Sequence, residues 1–100
     1  MPETSATRVV TVTNTQGFHA RPAHEFVKLA SQFRAEVKIV KGNEQINGKS
    51  ILDLLTLGAG NGTKLSLQAT GDDAEAAVTA LGELVESGFG EQRPSDPELQ

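Results

Sequence analysis

Residues 36–47 read EVKIVKGNEQIN and decide the fold class of this chain. The first half, EVKIVK, alternates charged and apolar side chains, a period of two that predicts a β-strand with one buried face. Gly42 and Asn43 follow, and both residue types tolerate the positive φ angles of a two-residue hairpin turn. We therefore expect residues 44–47 to return as a short antiparallel strand.

Further alternating and helical segments surround this hairpin. Residues 8–13 (RVVTVT) and 63–70 (TKLSLQAT) alternate and predict two more strands. Apolar side chains spaced three and four residues apart predict an amphipathic first helix from Ala20, with apolar positions at Ala23, Phe26, Val27, Ala30 and Phe33. Ser50 opens a short second helix, with Asp53 at the capping-box position three residues later.

A third helix is predicted to begin near Asp72, where Glu75 completes a capping box. Its apolar face comprises Ala74, Ala77, Val78, Leu81, Leu84 and Val85. Gly82 interrupts that helix at a cost of about 1 kcal/mol relative to alanine. The order β-α-β-β-α-β-α, with one polar face on each strand, predicts an α+β two-layer sandwich: a four-stranded antiparallel sheet with three helices on one face.

The composition is that of one soluble globular domain of 100 residues, with 37% hydrophobic and 22% charged residues. We place the domain at residues 8–91, between an N-terminal extension (1–7) and a C-terminal tail (92–100) that are expected to be flexible. The chain has no cysteine, which excludes disulfides and thiolate metal sites. No apolar run is long enough to span a membrane, and the first residues lack a secretory signal, so we expect a cytoplasmic protein.

The formal net charge of −4 argues against general nucleic-acid binding, which requires clusters of basic residues. Only four residues are aromatic, all phenylalanine, which leaves little material for base stacking. The charge is unevenly distributed, because residues 71–100 carry most of the acidic side chains. Residues 1–70, which carry more basic than acidic side chains, are therefore expected to meet an acidic partner. The acidic residues 71–100 would repel the same partner.

Two glycine-containing segments resemble nucleotide-binding motifs without satisfying them. Residues 42–50 (GNEQINGKS) have five residues between the glycines where a P-loop has four, and they lie in a predicted hairpin. Residues 58–62 (GAGNG) lead from a helix into a strand, whereas a dinucleotide fingerprint leads from a strand into a helix. Neither segment indicates a nucleotide site.

The segment with the strongest chemical character is GFHARPA, residues 17–23, at the entrance to the first helix. Gly17 permits an unusual turn, and Pro22 is tolerated in a first helical turn. The amides that follow His19 carry the positive end of the helix dipole, and Arg21 adds a permanently charged donor fork. Together they predict an anion site containing a nucleophilic imidazole, suited to a phosphohistidine. The alternative is a surface histidine without function, with Arg21 simply paired to Glu25.

GFHARPA, the later segment GKSILDLLTLG and the ending SGFGE together resemble the histidine-containing phosphocarrier (HPr) family of the bacterial phosphoenolpyruvate-dependent sugar phosphotransferase system. The resemblance covers about residues 8–91. It implies the open-faced β-sandwich of that family, and a carrier that is an intermediate in phosphoryl transfer rather than an enzyme. It also implies enzyme I as the phosphoryl donor, IIA proteins as acceptors, and no metal or organic cofactor.

By the same resemblance, His19 is the histidine phosphorylated at Nδ1 and Arg21 steadies the phosphoryl group. Gly17, Ala20 and Pro22 then form the supporting loop-to-helix frame. Ser50 matches the serine that an ATP-dependent HPr kinase/phosphorylase modifies in many bacteria. A phosphate there would add negative charge beside the docking surface and so inhibit enzyme I docking. The alternative is that Ser50 is only a helix N-cap.

The expected partner-docking residues are Ile51, Leu52, Leu55 and His24, because a short helix on one sheet face buries only one apolar stripe. His24 departs from the small residue typical of the family. A metal site formed with His19 would lack a carboxylate ligand set, so His24 is interpreted as a partner contact or a bystander. Two alternative functions stay open: a carrier of the nitrogen-related branch with the same His19 chemistry, and a purely regulatory module acting through Ser50. We expect a monomer.

Overall fold

The predicted element order β-α-β-β-α-β-α is confirmed in a computed structural model, which describes residues 4–14 and 18–90. The strands are β1 (Ser5–Thr11), β2 (Glu36–Lys41), β3 (Glu44–Asn47) and β4 (Lys64–Thr70). The helices are α1 (Ala20–Ala30), α2 (Ile51–Leu57) and α3 (Ala74–Glu86), followed by a 3-10 turn at Gly88–Gly90.

The four strands form one antiparallel sheet in the order β1-β4-β2-β3. The predicted hairpin is present: Lys41 pairs with Glu44, and Gly42 adopts a φ of 58° in the turn between them. Strand β4 lies between β1 and β2, so that Leu67 pairs with both Arg8 and Ile39. The long connection through α1 therefore places β2 one strand away from β1 and leaves room for β4 between them.

All three helices cover one face of the sheet, so the predicted α+β two-layer sandwich is confirmed. The core lies between the layers, where alternate strand residues such as Val37, Ile39 and Leu67 meet Phe26 of α1 and Leu81 of α3. These five side chains are at most 2% exposed. Within the described ranges, no helix has both the length and the apolar character required to cross a bilayer.

The first strand begins earlier than predicted. We expected it at residues 8–13, but it spans Ser5–Thr11, where each of its seven residues pairs with β4. Residues 5–7, assigned above to a flexible extension, therefore belong to the sheet, because Ala6 lies opposite Ala69 and extends the ladder. The strand ends before Thr13, whose hydroxyl donates to the carbonyl of Glu86. Residues 1–3 and the expected tail at 92–100 lie outside the described residues.

The predicted capping box at the start of α3 is wrong. The N-cap residue is Asp73, and its side chain makes no capping hydrogen bond. Its carboxylate instead accepts hydrogen bonds from the backbone amides of Arg34 and Ala35, in the connection between α1 and β2. The helix therefore begins one residue later than the predicted box at Asp72 and Glu75 requires, and the carboxylate at its N-cap makes a long-range contact instead. Leu84, which we expected in the core, is only half-buried.

Candidate functional site

His19 is the N-cap residue of α1, as the sequence predicted. Its backbone is extended (φ −87°, ψ −169°), and its carbonyl accepts the first helical hydrogen bond from the Ala23 amide at 3.0 Å. The imidazole does not cap the helix and is half-buried. Pro22 is buried in the first turn, where a missing N–H costs nothing. The amides of the first turn, which follow His19 in the chain, have no carbonyl partner within the helix.

The residue before His19 is fixed by two neighbouring segments. The Phe18 amide donates to the carbonyl of Ala59 at 3.1 Å, and the Phe18 ring stacks edge-on against Phe26, with 5.7 Å between ring centroids. Asn61 braces the chain upstream, because its side-chain amide donates to the carbonyl of Thr13 at 2.9 Å. The segment GAGNG, residues 58–62, therefore contacts the chain at Thr13 and at Phe18, the residue before His19. These contacts join residues more than 40 positions apart, so no local sequence pattern predicts them.

Arg21 lies on the exposed side of the first turn. Its Nε is 3.4 Å from a carboxylate oxygen of Glu25, one helical turn away, so the alternative pairing considered above is present. The two side chains are 63% and 36% exposed, and ion pairs of this kind contribute between 0 and about 1 kcal/mol. Ala20 is exposed, and Gly17 lies outside the described residues.

Ser50 is the N-cap of α2, the helix that packs beside α1. Its hydroxyl accepts a hydrogen bond from the Asp53 amide at 3.2 Å, as predicted. The Asp53 carboxylate also accepts the Asn47 amide at 3.3 Å, which ties the helix start to the end of β3. Cap and carboxylate together fix the orientation of this short helix.

Helix α2 presents apolar side chains to solvent. Leu52 is 73% exposed and Leu55 40% exposed, whereas Leu54 and Leu57 of the same helix are buried in the core. Ile51, expected at the surface beside Leu52, is half-buried and packs against the core. Leu52 and Leu55 therefore leave apolar area of this seven-residue helix exposed to solvent.

His24 is exposed on α1. Among residues 4–14 and 18–90, no group of three or more histidine, aspartate or glutamate side chains is arranged to hold a metal ion. The described candidate site contains an imidazole at a helix start, a guanidinium two residues later and an adjoining helix with exposed leucines.

Comparison with known proteins gives this arrangement a family. Residues 6–87 match the family described as PTS HPr component phosphorylation site. Phosphocarrier protein HPr of Neisseria meningitidis is 40% identical over 82 residues, covering 82% of this chain and 92% of that protein. Phosphocarrier protein NPr of Shewanella violacea is 42% identical over 88 residues, covering 88% of this chain and 97% of that protein.

A solved structure agrees with these relatives. The crystal structure of HPr-C-His from Thermoanaerobacter tengcongensis superposes with a TM-score of 0.83 at 42% identity, covering 86% of this chain and 97% of that one. The matched residues include the whole sheet from Ala6 onward and all three helices. This chain therefore belongs to the HPr family of phosphotransferase-system phosphocarriers, which are intermediates in phosphoryl transfer rather than enzymes.

Proposed function

We propose that His19 accepts a phosphoryl group from enzyme I and passes it to a histidine of a IIA protein. The observation that supports this proposal is the position of His19 as N-cap of α1, where its imidazole does not serve the helix as a cap. A helix start stabilises an anion through its amides and the positive end of its dipole. The same amides would stabilise the negative charge of a phosphohistidine.

In the proposed transfer, a ring nitrogen lone pair of His19 (Nδ1 in the family) forms the new N–P bond while the bond from phosphorus to the donor breaks. Arg21, one residue into the helix, would turn from Glu25 to the phosphoryl oxygens. A guanidinium matches their geometry and stays charged. Ala20 and Pro22, with Gly17 before them, would frame the loop that presents the imidazole. The onward transfer to a IIA histidine reverses these steps.

Partner docking is proposed to use a docking patch formed by Ile51, Leu52, Leu55 and His24. Leu52 and Leu55 supply exposed apolar area, and α1 and α2 are in contact. An apolar surface beside a charged site fits a partner that must dock briefly and release. The proposed carrier is a cytoplasmic monomer, and this patch is the surface on which successive partners alternate.

Ser50 is the proposed site of regulation by an HPr kinase/phosphorylase. Its hydroxyl stands at the start of α2, next to Ile51 and Leu52 of the docking patch. A phosphate at this position would suit the dipole of α2 but would place about two negative charges on the docking surface. The proposed result is weaker docking of enzyme I without loss of the fold.

The nitrogen-related branch is the second candidate, favoured by the similarity to NPr of Shewanella violacea. Both candidates use the same His19 chemistry and differ in their partners. The two are separated by comparing phosphorylation rates with the enzyme I of each branch. A preference of more than about tenfold assigns the branch, since it corresponds to about 1.4 kcal/mol of discrimination.

The deciding experiment is incubation with phosphoenolpyruvate and enzyme I, followed by intact mass measurement before and after acid treatment. We expect one acid-labile phosphate on the wild type and none on His19→Ala. The variant should remain folded, because the replaced imidazole is half-buried and makes no capping bond. Phosphate on His19→Ala would contradict the assignment. No phosphate on the wild type, together with ATP-dependent labelling of Ser50, would favour the purely regulatory function.

A further inference from the structure

The chain that follows α3 adopts a backbone conformation that its residue type disfavours. Gly88 has a φ of 71°, which glycine accepts without strain, but the next residue, Phe89, has φ 56° and ψ 24°. Across residues 4–14 and 18–90, no other non-glycine residue has a positive φ. A side chain with a Cβ is destabilised in this left-handed region, so a phenylalanine persists there only where its ring is needed.

The ring of Phe89 is buried, and its contact shows what it supports. It is 4% exposed and lies edge-on against Phe18, with 5.5 Å between centroids and 66° between ring planes. Phe18 in turn lies edge-on against Phe26 of α1. These three residues form an aromatic clamp, with Phe18 in the middle. Edge-to-face pairs of this kind add stabilisation beyond simple burial and fix ring orientation.

The clamp acts on the residue that precedes His19. Phe18 is held on three sides: by Phe26, by Phe89, and through its amide by the carbonyl of Ala59. One peptide bond separates it from His19, so a shift of Phe18 would move the imidazole relative to the first turn of α1. Phosphoryl transfer depends steeply on such placement.

We propose that Phe89 is a positioning residue for phosphoryl transfer, which acts through Phe18 to hold His19 against the start of α1. This inference deepens the proposed function and rests on His19 being the phosphorylated residue. The strained backbone at Phe89 is retained because its ring completes the clamp. A glycine would fit the backbone better and leave Phe18 with one aromatic neighbour.

The first test compares Phe89→Gly with Phe89→Leu in phosphorylation by enzyme I and phosphoenolpyruvate. We expect Phe89→Gly to accept phosphate about tenfold more slowly through kcat rather than KM, since it disturbs orientation and leaves the docking patch unchanged. Phe89→Leu keeps most of the apolar volume but loses the ring edge that contacts Phe18, so it should be slowed less, by about threefold. The NMR chemical shifts of the His19 ring should move in Phe89→Gly and return toward wild type in Phe89→Leu.

The matched control is Val78→Ala, which removes buried volume in the half of α3 that is remote from Phe89. Val78 is 6% exposed and lies about 12 Å of helix before the last residue of α3. The start of α3 is fastened through Asp73 to the connection after α1, whereas His19 stands at the start of α1. Val78→Ala should lose stability yet keep the wild-type rate and His19 shifts at a temperature where it is folded. Equal slowing in Val78→Ala and Phe89→Gly would show a general effect of stability and overturn the proposal.

A second pair of variants covers the case in which Phe89→Gly does not fold. Phe18→Leu and Phe89→Leu are combined, and rates are measured for each single and for the double variant. Because both residues act through one contact, we expect the double variant to be no slower than the slower single variant. Losses that multiply would overturn the proposal. An unphosphorylated wild type, or a labelled His19→Ala, would instead contradict the function of His19 itself.

Discussion

The carboxylate of Asp73 accepts the backbone amide of Ala35 at 2.8 Å, and its other oxygen accepts the Arg34 amide at 2.9 Å. Asp73 stands immediately before α3, and the two amides lie immediately before β2. The contact therefore fastens the start of α3 to the start of β2 across 38 residues of chain. Gly71 makes the approach possible, because a Cβ there would lie 2.7 Å from the Cα of Ala35.

The first prediction concerns acid stability. The hydrogen bond from Arg34, with a smaller contribution from Ala35, outweighs desolvation and lowers the pKa of Asp73 below its ordinary value of 3.8. A carboxylate with a lowered folded-state pKa stabilises the protein above the unfolded-state pKa and loses that contribution as the pH falls through the folded value. Asp73→Asn should therefore be less stable than wild type at neutral pH, and the difference should shrink below about pH 4.

Urea denaturation at neutral pH and at about pH 2 checks this prediction. Asp72→Asn is the matched control, since Asp72 is the exposed neighbour of Asp73 and its replacement changes the net charge equally. The control should remain close to wild type at both pH values. A deficit in Asp73→Asn that persists unchanged at low pH would contradict the role of the ionised carboxylate.

The sequence sufficed to predict features that depend on short-range patterns. The hairpin at Gly42, the Ser50 cap and the helix start after His19 are set by alternation, turn chemistry and capping within a few residues, and the structure has all three. A candidate site could be proposed for the same reason, because GFHARPA lies within one helix entrance. Its placement beside the exposed leucines of α2 follows once the helices share one sheet face.

Long-range contacts could not be predicted in the same way. The local pattern assigned a capping box to the start of α3, but Asp73 bonds to Arg34 and Ala35, and nothing near it in sequence indicates those partners. The contact between Phe89 and Phe18 could not be predicted either, because it depends on the folded chain, as does the backbone conformation of Phe89. From the sequence, Gly82 could be assigned only its cost to the stability of the helix. The structure shows that the missing Cβ leaves room for the Arg8 side chain.

Gly82→Ala should change the free energy of unfolding by less than about 0.5 kcal/mol, although alanine is ordinarily the better helix former by about 1 kcal/mol. A Cβ at this position would lie 2.6 Å from Cδ and Nε of Arg8. The Arg8 guanidinium is held in place by the Thr79 carbonyl at 3.2 Å and by Glu86 at 2.8 Å. The overlap must therefore disturb those contacts.

An Arg8→Ala background removes the loss of contacts that offsets the gain in helix propensity. With the arginine side chain removed, Gly82→Ala should stabilise the protein by about 1 kcal/mol through helix propensity alone. Urea denaturation of the four proteins in this cycle measures both effects. The packing explanation fails if Gly82→Ala stabilises the protein to the same extent in both backgrounds.

Two leucines of α2 should separate docking from folding. Leu54 is fully buried, so Leu54→Ala should lower the free energy of unfolding by about 2–5 kcal/mol. Leu52 is 73% exposed, so Leu52→Ala should change it by less than about 0.5 kcal/mol. We expect Leu52→Ala to raise the KM for enzyme I about fivefold, as loss of an interface anchor does. An unchanged KM would remove Leu52 from the docking patch.

Ser50 offers a test that separates its cap from its proposed regulation. Ser50→Ala loses the hydroxyl that accepts the Asp53 amide, so it should cost about 1 kcal/mol of stability while enzyme I phosphorylates it at the wild-type rate. Ser50→Asp keeps a capping oxygen and should remain within about 0.5 kcal/mol of wild type, yet its added charge should raise the KM for enzyme I about fivefold. Thr79→Asp places the same charge on an exposed position of α3 and should leave the KM unchanged. A wild-type KM for Ser50→Asp would show that charge at this helix start does not control docking.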